Sequence, residues 1–175
     1  MKLHWIWNYL PTRYEASEQE WRIRKMVWNF KDGQSDPEII EKLAQIIEGI
    51  AGGNKHNYVV CFIPASSESK TILRYANVAI QLERKTGVTT TIDAITRTSE
   101  TTPNCCRAAS DRQVDPAAEF NFSSSYFRGK KVILIDDVVT KGRSMVSTEK
   151  RLRMYGATDV EGVAVARTVN PDWNC

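Results

Sequence analysis

Apolar positions along the chain follow two periods in turn, a twofold alternation and a repeat of three to four, and each change of period marks a new element. Leu3 to Leu10 alternates aromatic and polar residues, with Trp5, Trp7 and Tyr9 on one face, and predicts an edge strand that Pro11 breaks. Ser17 and Glu20 form a capping box before a helix carrying Trp21, Arg24, Lys25 and Trp28, whose two tryptophans share a face as packing residues. Lys31-Asp32-Gly33 ends that unit in a turn. Asp36 as N-cap and Pro37 at the first helical position open a second helix. Ile39, Ile40, Leu43, Ile46, Ile47 and Ile50 then follow at helical spacing up to Gly52-Gly53-Asn54.

Tyr58 to Ile63 predicts the first central strand, and Pro64-Ala65-Ser66-Ser67 is the loop at its carboxyl end. A third helix is expected from about Ser69 to Thr86, with Ile72, Leu73, Ala76, Ala79, Ile80 and Leu82 buried and Gly87 at C′. Val88 to Thr96 is β-branched and predicts the next strand. Arg97 to Gln113 shows no periodicity, and a loop of that length inside a compact domain is usually functional or mobile. Phe120-Asn121-Phe122 and Tyr126-Phe127 predict short strand pieces before an Arg128-Gly129-Lys130 turn. Val132 to Ile135 is a continuous apolar run, expected for a strand covered on both faces. Met145, Leu152, Met154 and Tyr155 mark a helix ending at Gly156, and Glu161 to Arg167 a final buried strand. This order of elements predicts an α/β domain with a mostly parallel sheet.

Composition narrows the class without changing that picture. The 175 residues suffice for one domain, and 42% hydrophobic with 26% charged residues excludes wholesale disorder. A net charge of +3 is too small to imply nucleic-acid binding without a basic stripe. Cys61, Cys105, Cys106 and Cys175 lack CxxC spacing, so neither a zinc ribbon nor a disulfide framework is indicated; Cys61 reads as inert core. No apolar run reaches membrane-spanning length, and MKLHWIWNYL lacks the core and cleavage site of a signal peptide. A reduced cytoplasmic protein is the resulting expectation. His4 and His56 lie in segments that do not suggest catalysis.

Candidate chemistry concentrates in Lys131 to Ser144, KVILIDDVVTKGRS. Asp136 and Asp137 sit at the carboxyl end of a strand, where open α/β sheets place ligands. Thr140, Lys141, Gly142, Arg143 and Ser144 put hydroxyls and backbone amides at a helix N-terminus, which suits an anion. Acids able to hold sugar hydroxyls thus precede a turn able to hold phosphate. A Walker B strand would require an upstream GxxxxGK[ST] loop, which is absent. A receiver-type acceptor would lie near the first strand and lack the glycine turn. A solvated structural pair would leave the turn unexplained.

An apolar strand, Asp-Asp, two apolar residues and Thr-x-Gly-x-Ser resembles the phosphoribosyl-diphosphate (PRPP) motif of type I phosphoribosyltransferases. The ComF-like, competence-protein branch is the most similar, over about Trp21 to Arg167. Its marks resemble Lys31-Asp32-Gly33, Arg74-Tyr75-Ala76-Asn77, Gly129-Lys130 and Ala166-Arg167-Thr168 in order. The chain departs from that branch in having no cysteine before Cys61, in Lys141 within the turn, and in Asn104 where glutamine is usual, while Thr101-Thr102-Pro103 and Arg112 match loosely.

The resemblance implies a single domain over residues 1–175, a mostly parallel twisted sheet with helices on both faces. Residues 1–35 would be a small hood-like N-terminal segment and residues 36–170 the α/β core. It implies that Asp136 and Asp137 hold the ribose hydroxyls and that Val139, Thr140, Lys141, Gly142, Arg143 and Ser144 wrap the 5′-phosphate. Ser66, Ser67, Lys70, Arg74, Arg97 and Arg112 are then candidates for pyrophosphate, with Arg107 a further cation in a loop that closes over substrate. Mg²⁺ would be held by PRPP oxygens and water, with Asp136 and Asp137 acting through water. The implied reaction is transfer of 5-phosphoribosyl to a nitrogen nucleophile with release of pyrophosphate. The implied partners are PRPP and an acceptor, with neither membrane nor nucleic acid, and a homodimer is compatible. The alternative is a non-catalytic module that senses PRPP or a nucleotide, or one associated with DNA uptake.

Overall fold

The computed structural model describes residues 1–98 and 115–171. Five parallel strands form one sheet: β1 (Leu3–Tyr9), β2 (Tyr58–Phe62), β3 (Thr89–Thr90), β6 (Lys131–Val139) and β7 (Asp159–Thr168), in the spatial order β1-β7-β6-β2-β3. The central pairings are Val60 with Ile133 and Ile135 with Val163, and β1 closes one edge with Trp5 opposite Ala164. The inner strands are buried on both faces, which is why β2, β6 and β7 read as runs of apolar residues rather than as alternations.

Helices α1 (Glu18–Lys31), α2 (Pro37–Ala51) and α3 (Glu68–Thr86) share a core with Val60, Phe62, Ile133, Ile135, Val163 and Val165. The other core joins α5 (Arg143–Met154) and the short helix α4 (Ser124–Phe127) to Val59, Cys61, Val132, Leu134 and Val160. Alternate residues of each strand thus face opposite layers. Ile39, Leu43 and Ile47 of α2 are fully buried, and each contributes about 2 kcal/mol relative to exposure, well above the small helix-propensity cost of isoleucine.

Local signals take effect where they stand. Ser17 and Glu20 form the capping box of α1, Asp36 accepts from the Glu38 amide ahead of Pro37, and Gly87 closes α3. Other expectations are corrected. The strand expected over Val88–Thr96 is split: β3 stays in the sheet, Thr91 accepts from the Asp93 amide in a bend, and β4 (Ile95–Arg97) leaves the sheet. It pairs antiparallel with β5 (Phe120–Phe122), and together they form a separate hairpin layer. Tyr126 and Phe127, expected as strand, form part of α4.

The buried stripe of α3 is Thr71, Tyr75, Val78, Ala79, Leu82 and Thr86; Ile72, Leu73 and Ile80 are exposed and Ala76 is half-buried. Trp21 and Trp28 share a face as expected, but that face is exposed, and they meet edge to face at 6.2 Å. The N-terminal segment expected as a hood supplies an edge strand of the main sheet and a helix whose Met26, Val27 and Phe30 lie in the core. Its connection over residues 10–17 leaves β1 at the carboxyl edge of the sheet, pinned by the buried Arg24 guanidinium, which donates to the carbonyls of Leu10, Pro11 and Tyr14.

Candidate active site

The sheet changes winding direction between β2 and β6. From β2 the chain crosses through α3 to β3 on one side, and from β6 through α5 to β7 on the other. The crevice beyond the carboxyl ends of these two neighbours is the place where doubly wound sheets bind ligands. Residues 63–67 and 140–142 leave the sheet there, the first of them beside β6, where the Ile63 amide donates to the Ile135 carbonyl at 2.9 Å.

β6 runs longer than expected and carries Asp136 and Asp137 within it, because pairing with β7 continues to Val139 opposite Arg167. The two carboxylates therefore point to opposite faces of one strand and have different surroundings. Asp137 is buried and ion-paired to the Arg74 guanidinium, and its other oxygen accepts from the Val138 amide at 2.5 Å. Asp136 accepts from the Asp137 amide at 2.8 Å. Burial, with the neighbouring charge of Asp137 added, pushes its pKa up to about 8 against the opposing pull of Lys31 and Arg74.

After Val139 the chain turns through Thr140, whose hydroxyl lies 2.9 Å from that of Thr168 on β7. Gly142 takes a φ of +69°, a left-handed conformation that a Cβ would strain, and starts α5 with no side-chain hydrogen bond to its first-turn amides. Those amides and the helix dipole favour an anion. Lys141 and Arg143 are exposed, Ser144 is half-buried, and Val139 packs in the core.

On the β2 side, Ser67 caps α3 by accepting from the Lys70 amide, and Thr71 ties the loop by accepting from the Ala65 amide and donating to the Ser67 carbonyl. Ser66 is half-buried and Lys70 exposed. Arg74 lies at the crevice, where its Nε also donates to the Lys31 carbonyl at 3.2 Å. Arg97, a candidate pyrophosphate cation, has a largely buried side chain. It donates to the Ala65 carbonyl at 2.8 Å, pairs with Glu119 at 2.6 Å and lies over the Phe120 ring, so it braces the loop after β2 against the β4–β5 hairpin. Arg107, Arg112 and the loop expected to close over substrate lie outside the described residues, except for its first residues, as do Cys105, Cys106 and Cys175.

Several contributors were not anticipated. Thr71, one turn after Ser67, was detectable in principle, since a hydroxyl there commonly bonds the carbonyl four residues back. Glu119, Lys31 and Tyr75 were not, because each acts across the fold. Tyr75 is fully buried, stacks on Phe62 at 4.6 Å and leaves its hydroxyl beside Arg74 without an aligned hydrogen bond. Cys61 is buried, which pushes its thiol well above the ordinary range and leaves it inert. His4 pairs with Glu161 at 2.8 Å, away from the crevice.

Residues 32–170 match the phosphoribosyl transferase domain model. The chain belongs to that family. Among solved structures, it is similar to the allosteric regulatory enzyme of purine biosynthesis at 15% identity and a TM-score of 0.50, covering 79% of this chain and 30% of that one. It also resembles a hypoxanthine-guanine phosphoribosyltransferase from Bacillus anthracis at 18% identity and a TM-score of 0.49, covering 83% of this chain and 70% of that one. An adenine phosphoribosyltransferase from Saccharomyces cerevisiae aligns at 18% identity and a TM-score of 0.45, over 75% of this chain and 70% of that one. These likenesses concern the α/β fold. No curated protein matches the chain.

The described residues include no group of three or more His, Cys, Asp or Glu able to hold a metal ion. The donor set suits Mg²⁺, which retains water and takes one or two carboxylates alongside substrate phosphates. Asp136 would be the carboxylate available to such an ion, since Asp137 is ion-paired to Arg74.

Proposed function

We propose that this chain is a phosphoribosyltransferase that binds PRPP with Mg²⁺ across the ends of β2 and β6 and transfers the 5-phosphoribosyl group to a ring or amino nitrogen, a nucleobase or a related compound. The observation that carries this reading is the acid pair near the carboxyl end of β6, a few residues before the uncapped N-terminus of α5. The α5 amides with Thr140 and Ser144 would receive the 5′-phosphate. Asp136 and Asp137 would accept from the ribose hydroxyls. Ser66, Ser67, Lys70 and Arg74 would meet the pyrophosphate, and Mg²⁺ would neutralise its charge.

In the reaction the bond from the anomeric carbon to pyrophosphate breaks and a bond to nitrogen forms. Pyrophosphate leaves with its electron pair, and the nitrogen loses a proton. Positive charge grows on the ribose ring, so carboxylates beneath it stabilise the transition state without a covalent nucleophile. The ComF-like placement draws support from contact between two of its marks, for Arg74 bonds Lys31 and the Gly33 turn packs on Leu73. A reduced cytoplasmic setting accords with the free, buried Cys61.

A pyrophosphate-release assay with PRPP, Mg²⁺ and a panel of nucleobases tests the proposal, with turnover expected for at least one base. A second reading, binding without transfer, is favoured by the Arg74–Asp137 pair, which occupies one of the two acids. Saturable PRPP binding with no pyrophosphate release across the panel would establish that reading instead.

A further inference from the structure

Helix α1 ends in a Schellman motif. The Gly33 amide donates to the Phe30 carbonyl at 3.1 Å and the Gln34 amide to the Asn29 carbonyl at 2.8 Å, with Gly33 left-handed at φ +83°. That motif satisfies the carbonyls of Asn29 and Phe30 and leaves the next one, that of Lys31, without a partner from its own turn. Arg74 supplies the partner, donating from Nε at 3.2 Å. Gly33 is seated on the same helix as Arg74, since a Cβ there would lie 2.6 Å from the Leu73 carbonyl oxygen. The end of α1 is thus tied to α3 at two points, in the layer that covers one face of β2 and β6.

From that anchored position the half-buried Lys31 side chain acts on the crevice. Burial and the charge of Asp137 raise the pKa of Asp136, and Lys31 opposes them more strongly than Arg74 does. Yet the Lys31 ammonium makes no ion pair or hydrogen bond among the described residues. A cation partly withdrawn from water, near a carboxylate but bonded to none, gives up hydration without a partner in return, and a phosphate oxygen would supply one. A lysine that merely complemented the dipole at a helix C-terminus would need no carboxylate across the fold. The layer in which Lys31 stands says which phosphate. The N-terminus of α5, suited to the 5′-phosphate, lies with Val132 and Leu134 on one face of the sheet, whereas Lys31 shares the opposite layer with α3, which carries Lys70 and Arg74.

We propose that Lys31 binds the pyrophosphate end of PRPP, its ammonium donating to an oxygen of the leaving group across from Asp136. The inference rests on the reading of the crevice as a PRPP site and adds a third wall to it, from the turn between α1 and α2. As the bond from the anomeric carbon breaks, pyrophosphate departs with the electron pair and negative charge collects on the departing oxygen. The ammonium meets that charge by hydrogen bonding and keeps its proton.

Isothermal calorimetry on the full chain with Mg²⁺, using PRPP, pyrophosphate and ribose 5-phosphate as separate probes, tests it. Lys31→Met keeps an unbranched stem and the backbone carbonyl that Arg74 uses, so the variant should remain folded by circular dichroism. It should bind PRPP and pyrophosphate about tenfold more weakly, the loss of one charge-assisted hydrogen bond, and ribose 5-phosphate as the wild type does. Lys31→Arg, which keeps the charge, should recover most of that loss. A positioning role exerted through Asp136 would weaken ribose 5-phosphate as well, because that acid would hold the ribose hydroxyls. That result, or an unchanged pyrophosphate affinity in Lys31→Met, would overturn the assignment of Lys31 alone. A wild-type chain that binds none of the three probes would overturn the PRPP site itself, and this inference with it.

Discussion

The guanidinium of Arg74, on the helix after β2, pairs with the carboxylate of Asp137 inside β6, and so joins the two walls of the candidate crevice across 63 residues of sequence. Both side chains are mostly shielded, so neither charge is well solvated once the other is removed. Arg74→Ala should therefore destabilise the fold by about 3 kcal/mol, the range found for breaking a buried pair. Adding Asp137→Asn should recover a large part of the loss. Urea unfolding of the two variants measures both effects, and equal stability of the single and double variants would show that the pair is not the cause.

Asp136 gives a pH dependence of defined sign. Its pKa is raised from an ordinary 3.8 to about 8, so between those values the folded chain keeps a proton that the unfolded chain releases. The stability that this proton supplies is complete below about pH 4 and is lost as pH rises towards 8. Asp136→Asn should flatten that part of the profile and stabilise the ligand-free protein at pH 8.5 by at least about 1 kcal/mol, a figure kept low because the residue is partly open to solvent. Melting temperatures from pH 5 to 9 test this; parallel curves for the two proteins would contradict it.

Ligand binding should oppose that gain. Replacing both acids, Asp136→Ala with Asp137→Ala, should weaken PRPP binding more than tenfold while leaving the far-ultraviolet spectrum native. Isothermal calorimetry with Mg²⁺ present is the measurement, and unchanged affinity would remove the acids from the site.

Arg97 offers a test of indirect action. By joining the Ala65 carbonyl to Glu119, it holds the loop after β2 in place. Arg97→Ala should lower PRPP affinity several-fold through displacement of that loop. Glu119→Gln, which keeps the shape but removes the charge, should have a smaller effect in the same direction. If Arg97 instead touched pyrophosphate directly, Glu119→Gln would leave affinity unchanged or raise it.

Gly33 separates strain from space. Its φ is +83°, and a Cβ there would lie 2.6 Å from the Leu73 carbonyl oxygen, whereas a Cβ on Gly129, at φ +73°, would meet nothing within 4 Å. Both alanine variants carry a left-handed penalty of about 1 kcal/mol, but only Gly33→Ala must also push α3 aside, at about 1–3 kcal/mol more. Chemical denaturation should rank them in that order.

How much of this protein was legible in advance follows from the range of each interaction. The capping box at Ser17, the Asp36-Pro37 helix start and the Asp-Asp-to-Gly142 turn act between residues a few positions apart, so their chemistry is present in the linear chain. The parallel α/β class was legible for the same reason, since continuous apolar strands alternate with amphipathic helices. The face of α3 was not, because apolar residues occur all around it and only packing against Phe30 and Phe62 decides that Tyr75 turns inward and Ile72 outward. The break between Thr90 and Ile95 was hidden too: β-branched residues favour extended backbone throughout, and the partner that draws β4 away, Phe120–Phe122, lies beyond a long loop.

The motif of acids and glycine turn over Lys131–Ser144 was thus set by sequence alone, as residue types at fixed spacing. Tertiary structure decided that the two acids differ. Asp137 receives the guanidinium of a distant helix, whereas burial, with the Asp137 charge beside it, raises the pKa of Asp136.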